Sequence, residues 1–200
     1  MTSIYPPIVL MVDTSVLLLL MNRLIKSILT VPTLQGWLWV FGLLLIVAAT
    51  AFPIGFYVGF LRVSTPRTWQ HSLTVASVAL VFPALTEELF FRVLLIPHPT
   101  EGAAWTQWSI WAGLSLLLFI VYHPLNAKTF FSRGVSTFFN PAFLSLAGIL
   151  GAACSIGYAL TGSLWAIAFI HWVVVVVWLL WLGGEDRLAA ANVRDVGQSN

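Results

Sequence analysis

Charge is what this sequence has least of. Asp, Glu, Lys and Arg make up 8% of its 200 residues, against 60% hydrophobic, whereas soluble domains carry about 25% charged residues. An ordinary soluble domain is thereby excluded. The net charge is +2, with no run of basic residues, so nucleic acid is excluded as a main partner. A single cysteine, Cys154, rules out an intramolecular disulfide. Its small apolar neighbours predict a buried, inert thiol. No basic residue precedes the first apolar stretch, and a cleaved signal peptide is not expected. Internal repeats, low-complexity tracts and linkers are missing as well.

What the chain has is apolar runs, each long enough to cross ~30 Å of hydrocarbon as a helix. They cover residues 37–60, 73–97, 105–122, 142–160 and 163–182. The fold expected is all-α, a polytopic transmembrane helix bundle of about five to seven spans. Residues 1–33 are expected to form an amphipathic interfacial helix, with Leu17, Leu20, Leu24 and Ile28 on its apolar side and Asp13-Thr14-Ser15 as its N-cap. Residues 34–183 form the bundle and 184–200 a loosely ordered polar tail, all in one integral-membrane domain. Pro53 predicts a kink in the first long run, and Pro124 an end or kink of the third. Trp105, Trp108 and Trp111 read as an interface belt. Arg62 and Arg67, Lys128 and Arg133, and Arg187 and Arg194 fall at one side under the positive-inside rule, while Arg23 and Lys26 do not fit a simple crossing.

One apolar run contains three ionisable groups: "ALTEELFFRVLLIP", with Glu87, Glu88 and Arg92. Fourteen Leu, Ile, Val and Phe residues in 73–97 favour insertion by roughly 4 to 8 kcal/mol. Three charges near mid-span would oppose it by roughly 8–10 kcal/mol. The run is comfortable only if the charges pair and face a wet cavity inside the bundle. Glu88 and Arg92 stack on one helix face, acid before base. Glu87 is rotated from Glu88 by about 100° and remains available as a base. A purely structural ion-pair network would not need that second glutamate. His123 closes the third run in "LLLFIVYHPLN", with Phe119 a turn earlier, and His171 sits inside the last. A carboxylate beside imidazoles can activate a water molecule.

These residues resemble the CPBP family of CAAX-protease and bacteriocin-processing (ABI-type) intramembrane proteins. Glu87-Glu88-Leu89-Phe90-Phe91-Arg92 matches its EExxxR motif and Phe119-Ile120-Val121-Tyr122-His123 its FxxxH motif. "TGSLW" at residues 161–165, followed by His171, resembles its third motif, and the likeness spans about residues 70–182. The resemblance implies an intramembrane endopeptidase of the glutamic type, in which Glu87 is the general base, His123 helps activate the water and His171 stabilises the oxyanion. Glu88 and Arg92 would support Glu87. The chain departs from the pattern at Val175, where the family has Asn or Asp, and at Val93 in place of Gly. Asn126 is a candidate substitute for the missing donor.

No organic cofactor is implied. Zinc on Glu87, His123 and His171 is a metal-site alternative, but no HExxH-type spacing supports it. The partners implied are membrane lipids and a peptide or protein substrate that can carry a lipid. The location is the bacterial inner membrane or a related organelle membrane. The rival within the family is a catalytically weak scaffold or immunity protein, favoured by Val175; a small transporter is a third class. His98 and Glu101 read as a solvated loop pair, His71 as interfacial, and Gly148 and Gly151 as a helix-packing face.

Overall fold

The protein is described by a computed structural model over residues 14–131 and 134–189. All regular structure among these residues is helical. Helix α1 is Thr14–Leu29, α2 Leu34–Tyr57, α5 Trp105–Thr129, α7 Pro141–Thr161 and α8 Leu164–Trp181. Between α2 and α5 runs one broken helix: α3 (Trp69–Ala79), a π-helical turn Leu80–Leu85, α4 (Thr86–Glu88) and a second π-helical turn Leu89–Leu94. A short α6 (Val135–Phe138) sits in the α5–α7 connection.

The ends of these helices follow from local chemistry. Thr33, Thr68, Asn140 and Ser163 cap the N-termini of α2, α3, α7 and α8 with side-chain oxygens, each satisfying an orphan amide. Gly162 ends α7 at φ +62°, a left-handed conformation that glycine adopts without strain. Pro53 and Pro124 lie inside α2 and α5 without ending them, so the third apolar run continues past residue 122. The sharper break is at Phe82, whose φ −124° and ψ 108° are not helical. It precedes Pro83, which supplies no amide to the helix.

Four helices, α2, α5, α7 and α8, are long and apolar enough to cross a membrane. The broken 69–94 run lacks a continuous helix of that length, yet its α3, Leu80–Leu85 and α4 parts pack against α8. The core lies where α2, α7 and α8 meet, around Val40, Leu43, Leu150, Cys154, Tyr158, Ile167 and Ile170. The close approach is set by small residues: a Cβ on Gly157 would lie 3.1 Å from Ile170 and 3.4 Å from Leu43.

Polar side chains gather at the two ends of the bundle. At one end Arg62 pairs with Asp186 at 3.0 Å, and His71 Nε2 lies 2.7 Å from Glu185 Oε1. Arg187 donates to the carbonyls of Gly59 and Phe60 there. Residues 184–189 are helical, so this part of the expected polar tail is held against the 59–62 turn, and His71 has a defined partner. At the opposite end Arg23 forms a bidentate pair with Glu101, 2.7 Å on each arm. Lys26 donates to Thr100, and His98 Nε2–H donates to the Gly162 carbonyl at 3.1 Å.

This second cluster departs from the sequence reading twice. His98 is buried and Glu101 is paired, so they are not a solvated loop pair. Burial pushes His98 below its usual value, with the Gly162 hydrogen bond opposing it. Burial pushes Glu101 upward, but the hydrogen bonds from Arg23 and the His98 amide, with the charge of Arg23, outweigh it and hold the carboxyl below its usual range. Helix α1 is amphipathic in an unexpected sense: Arg23 and Ser27 are buried against the bundle, while Leu17, Leu18, Ile25 and Ile28 are exposed. A helix lying in the interface would turn its polar side to water. Here that side is satisfied internally, Ser27 by the Tyr158 hydroxyl at 2.8 Å and Arg23 also by the Leu94 carbonyl at 3.0 Å. The mismatch of Arg23 and Lys26 with the charge rule is thereby eased, because Arg23 is neutralised where it lies. Asp13, Arg133 and Arg194 fall outside the described residues.

Candidate functional site

The site is built on the broken helix. Among the described residues Glu88 and Arg92 are fully buried and Glu87 nearly so, and isolated charges at such positions are costly. The expected Glu88–Arg92 pair is present, Oε1 to Nη1 at 3.2 Å. The same Oε1 lies 2.6 Å from His171 Nδ1. A carboxylate accepts only, so when Glu88 is ionised the Nδ1–H donates to it and Nε2 is directed elsewhere. Nε2 lies 3.7 Å from Glu87 Oε2. That gap exceeds a direct hydrogen bond. Glu87 Oε2 is buried and has no hydrogen-bond partner among the described residues.

His123 reaches the site from α5. Its Nδ1–H donates to the Phe119 carbonyl at 2.8 Å, leaving Nε2 as the acceptor of the neutral ring. The Phe119 ring packs against both histidines, 4.8 Å from His123 and 6.0 Å from His171, edge-on to each. Arg92 stacks over that ring at 4.3 Å, a cation–π contact in a dry setting. The imidazole within 4 Å of a Glu87 oxygen is that of His171.

All of these side chains except the buried Glu88–Arg92 pair line one cavity of about 550 Å³. Glu87, His123, His171, Phe119 and Asn126 contribute to its wall, together with Thr86, Tyr122 and Val175. The rest is aliphatic and aromatic. The break at Phe82 and Pro83 also borders the cavity, and the helix carrying the carboxylate has π turns on either side of it.

Three contributions were not visible from spacing. Glu88 is shared by Arg92 and His171, an 83-residue separation that no local pattern encodes. Gly151 admits the guanidinium, since a Cβ there would lie 2.6 Å from Arg92 Nη2; its small neighbours were the available signal. Cys154 is buried as expected, but its sulfur belongs to the group Glu88, Cys154 and His171, whose ligand atoms lie within 4.8 Å of one another.

The metal alternative meets this geometry poorly. The side chains brought to ligand spacing are Glu88, Cys154 and His171, not Glu87, His123 and His171. Glu88 Oε1 already accepts from Arg92, whose fixed positive charge would oppose a dication at that oxygen.

The family model described as "Type II CAAX prenyl endopeptidase Rce1-like" matches residues 69–177. The chain belongs to this family. The matched region contains Glu87, Glu88, Arg92, Phe119, His123 and His171, and ends after Val177. Comparisons with curated proteins and with solved structures gave no match. Family membership and the apolar helices make the chain an integral membrane protein of the CAAX-protease-like endopeptidase kind, suited to a lipid environment and peptide substrates.

Proposed function

We propose that this Rce1-like protein is a glutamate-dependent intramembrane endopeptidase that hydrolyses a peptide bond in a lipidated chain, with Glu87 as general base. The observation that carries the reading is the Glu87 carboxylate: buried, facing the cavity, one oxygen without a hydrogen-bond partner and 3.7 Å from His171 Nε2. A base needs a free oxygen within reach of the proton it takes.

In the proposed reaction a water molecule lies between Glu87 and the imidazoles. The lone pair of His123 Nε2 accepts one of its hydrogens and orients it. Glu87 takes a proton as the water oxygen bonds to the peptide carbonyl carbon, and the carbonyl oxygen becomes an oxyanion. His171 in its doubly protonated form donates from Nδ1 to Glu88 and from Nε2 to that oxyanion. Glu88 and the oxyanion then balance Arg92 and the His171 ring, so the buried cluster is neutral overall. Collapse of the tetrahedral species breaks the C–N bond, and Glu87 passes its proton to the leaving amine. Arg92 and Glu88 touch no substrate in this scheme; they fix the His171 ring. The largely apolar cavity, within the size range of small-molecule sites, suits a lipid tail or apolar side chains beside the cleaved bond.

The test is cleavage of a prenylated CAAX-type peptide by the purified protein in nanodiscs. Glu87→Gln should reduce cleavage to background while thermal unfolding is retained. Cleavage at the wild-type rate by that variant would overturn the proposal.

A further inference from the structure

Two helices line the cavity with different chemistry. Beyond His171, α8 offers Val174, Val175, Leu182 and the Trp178 indole, whose nitrogen is sealed from it. Helix α5 offers Tyr122, His123 and Asn126. The His123 Nδ1–H is committed to the Phe119 carbonyl, so the neutral ring brings the cavity a lone pair and no donor. The Tyr122 hydroxyl is a donor and is uncommitted. It has no hydrogen-bond partner among the described residues, yet it is not among the buried side-chain atoms that lack one, so the oxygen is accessible. Its ring packs on Phe91 at 5.3 Å and lies 5.9 Å from that of His123. Phe91 follows Glu87 by four residues on the broken helix, and the phenol lies within the field of the Glu87 carboxylate.

The chemistry of the site gives that hydroxyl a use. An oxyanion forming on a peptide carbonyl is stabilised by donors already in place, and tyrosine is among the side chains that serve. His171 Nε2 is one such donor in the proposed reaction, and Val175, a turn further along α8, supplies none. A phenol is uncharged at neutral pH, so it stands near Glu87 without the repulsion a further carboxylate would bring. Asn126 is polar too, but it is four residues past Tyr122, about 6 Å further along the axis and away from Phe119. We propose that Tyr122 is a further catalytic residue, whose hydroxyl donates to the carbonyl oxygen of the cleaved bond as it becomes an oxyanion. The hydroxyl keeps its proton throughout. This rests on the protease reading above, which places the reacting carbonyl beside Glu87 and His171. Tyr122 fills an unspecified position of the FxxxH motif, so spacing alone does not mark it; it supplies from α5 a donor that Val175 does not supply from α8.

The experiment is steady-state cleavage of a quenched prenylated peptide by nanodisc-embedded protein, comparing wild type, Tyr122→Phe, Val175→Asn and the double variant. Tyr122→Phe removes one oxygen atom and should leave the unfolding temperature unchanged. Loss of an oxyanion donor should lower kcat by ~10²–10³-fold and leave KM within about threefold, because the contact is made only in the transition state. Val175→Asn should raise kcat of the Tyr122→Phe protein by a larger factor than it raises that of wild type, since each donor matters more when the other is missing. Wild-type kcat for Tyr122→Phe, or a raised KM at constant kcat, would overturn the inference and leave the protease reading standing. A fall in kcat that Val175→Asn does not restore in part would overturn it as well. Undiminished cleavage by Glu87→Gln, or none by wild type, would overturn both.

Discussion

His171 and Glu88 are joined by a 2.6 Å contact from Nδ1 to Oε1 between helices that are 83 residues apart in sequence. This carboxylate sets the ring so that its other nitrogen faces Glu87. The arrangement has the logic of a buried acid that orients a catalytic histidine, with Arg92 as a second holder of the acid.

Glu88→Gln should therefore reduce kcat by ~10²–10⁴-fold, because the amide can hold the ring in the wrong tautomer. KM should move little, since Glu88 does not border the cavity. Kinetics on the reconstituted variant, beside an unfolding curve, check this; unchanged kcat would remove Glu88 from the proposed machinery.

Gly151 and Gly148 offer a matched comparison on one helix. A Cβ at 151 would lie 2.6 Å from Arg92 Nη2 and 2.7 Å from Leu116, whereas at 148 the nearest neighbour is Ile120 at 3.4 Å. Gly151→Ala should displace the guanidinium, costing about 1–3 kcal/mol of stability and part of the activity. Gly148→Ala should be neutral or stabilising by up to about 1 kcal/mol, because alanine is the better helix former. Thermal denaturation in detergent distinguishes the two, and similar effects at both positions would contradict the role given to Gly151.

Val175 borders the cavity one turn beyond His171. A donor at this position can assist an oxyanion, and a single such donor changes rates by ~10²–10³-fold where it is well aimed. Val175→Asn should raise kcat at constant protein stability. A decrease or no change would mean that the wall of this cavity is adapted to an apolar residue there.

The Arg23–Glu101 pair should give acid-sensitive stability. Glu101 is held below its usual range, so its contribution is complete above the unfolded-state value of a glutamate, about 4.3, and is lost as pH falls through the lower folded value. The difference in unfolding temperature between wild type and Glu101→Gln should be constant from neutral pH to about pH 5 and shrink at lower pH. A difference that does not shrink below about pH 4 would show that the charge of Glu101 is not what holds α1.

The helices were legible because lipid-spanning runs are long and nearly uninterrupted in sequence, and the Glu88–Arg92 pair because it is local. The side from which α1 meets its neighbours was not legible. Periodicity gives the polar and apolar faces of a helix, but in a bilayer the apolar face turns outward and the polar one inward, the reverse of a water-exposed surface. His98 was misjudged for a related reason: a polar residue in a loop looks solvated until a distant carbonyl, here that of Gly162, is folded onto it. Both α2 and α5 continue past Pro53 and Pro124, and the break lies at Phe82, beside Pro83, where a proline one turn before Glu87 offers one. The Glu88–His171 contact joins elements whose relative placement no spacing reports.

The inward-facing polar side of α1 has a consequence for biogenesis. Arg23 meets Glu101 across 78 residues and Ser27 meets Tyr158 across 131, so a ribosome delivers the first helix long before it delivers what satisfies that helix. The partners of Arg23 are made by residue 101, whereas the Tyr158 hydroxyl that meets Ser27 follows only with α7.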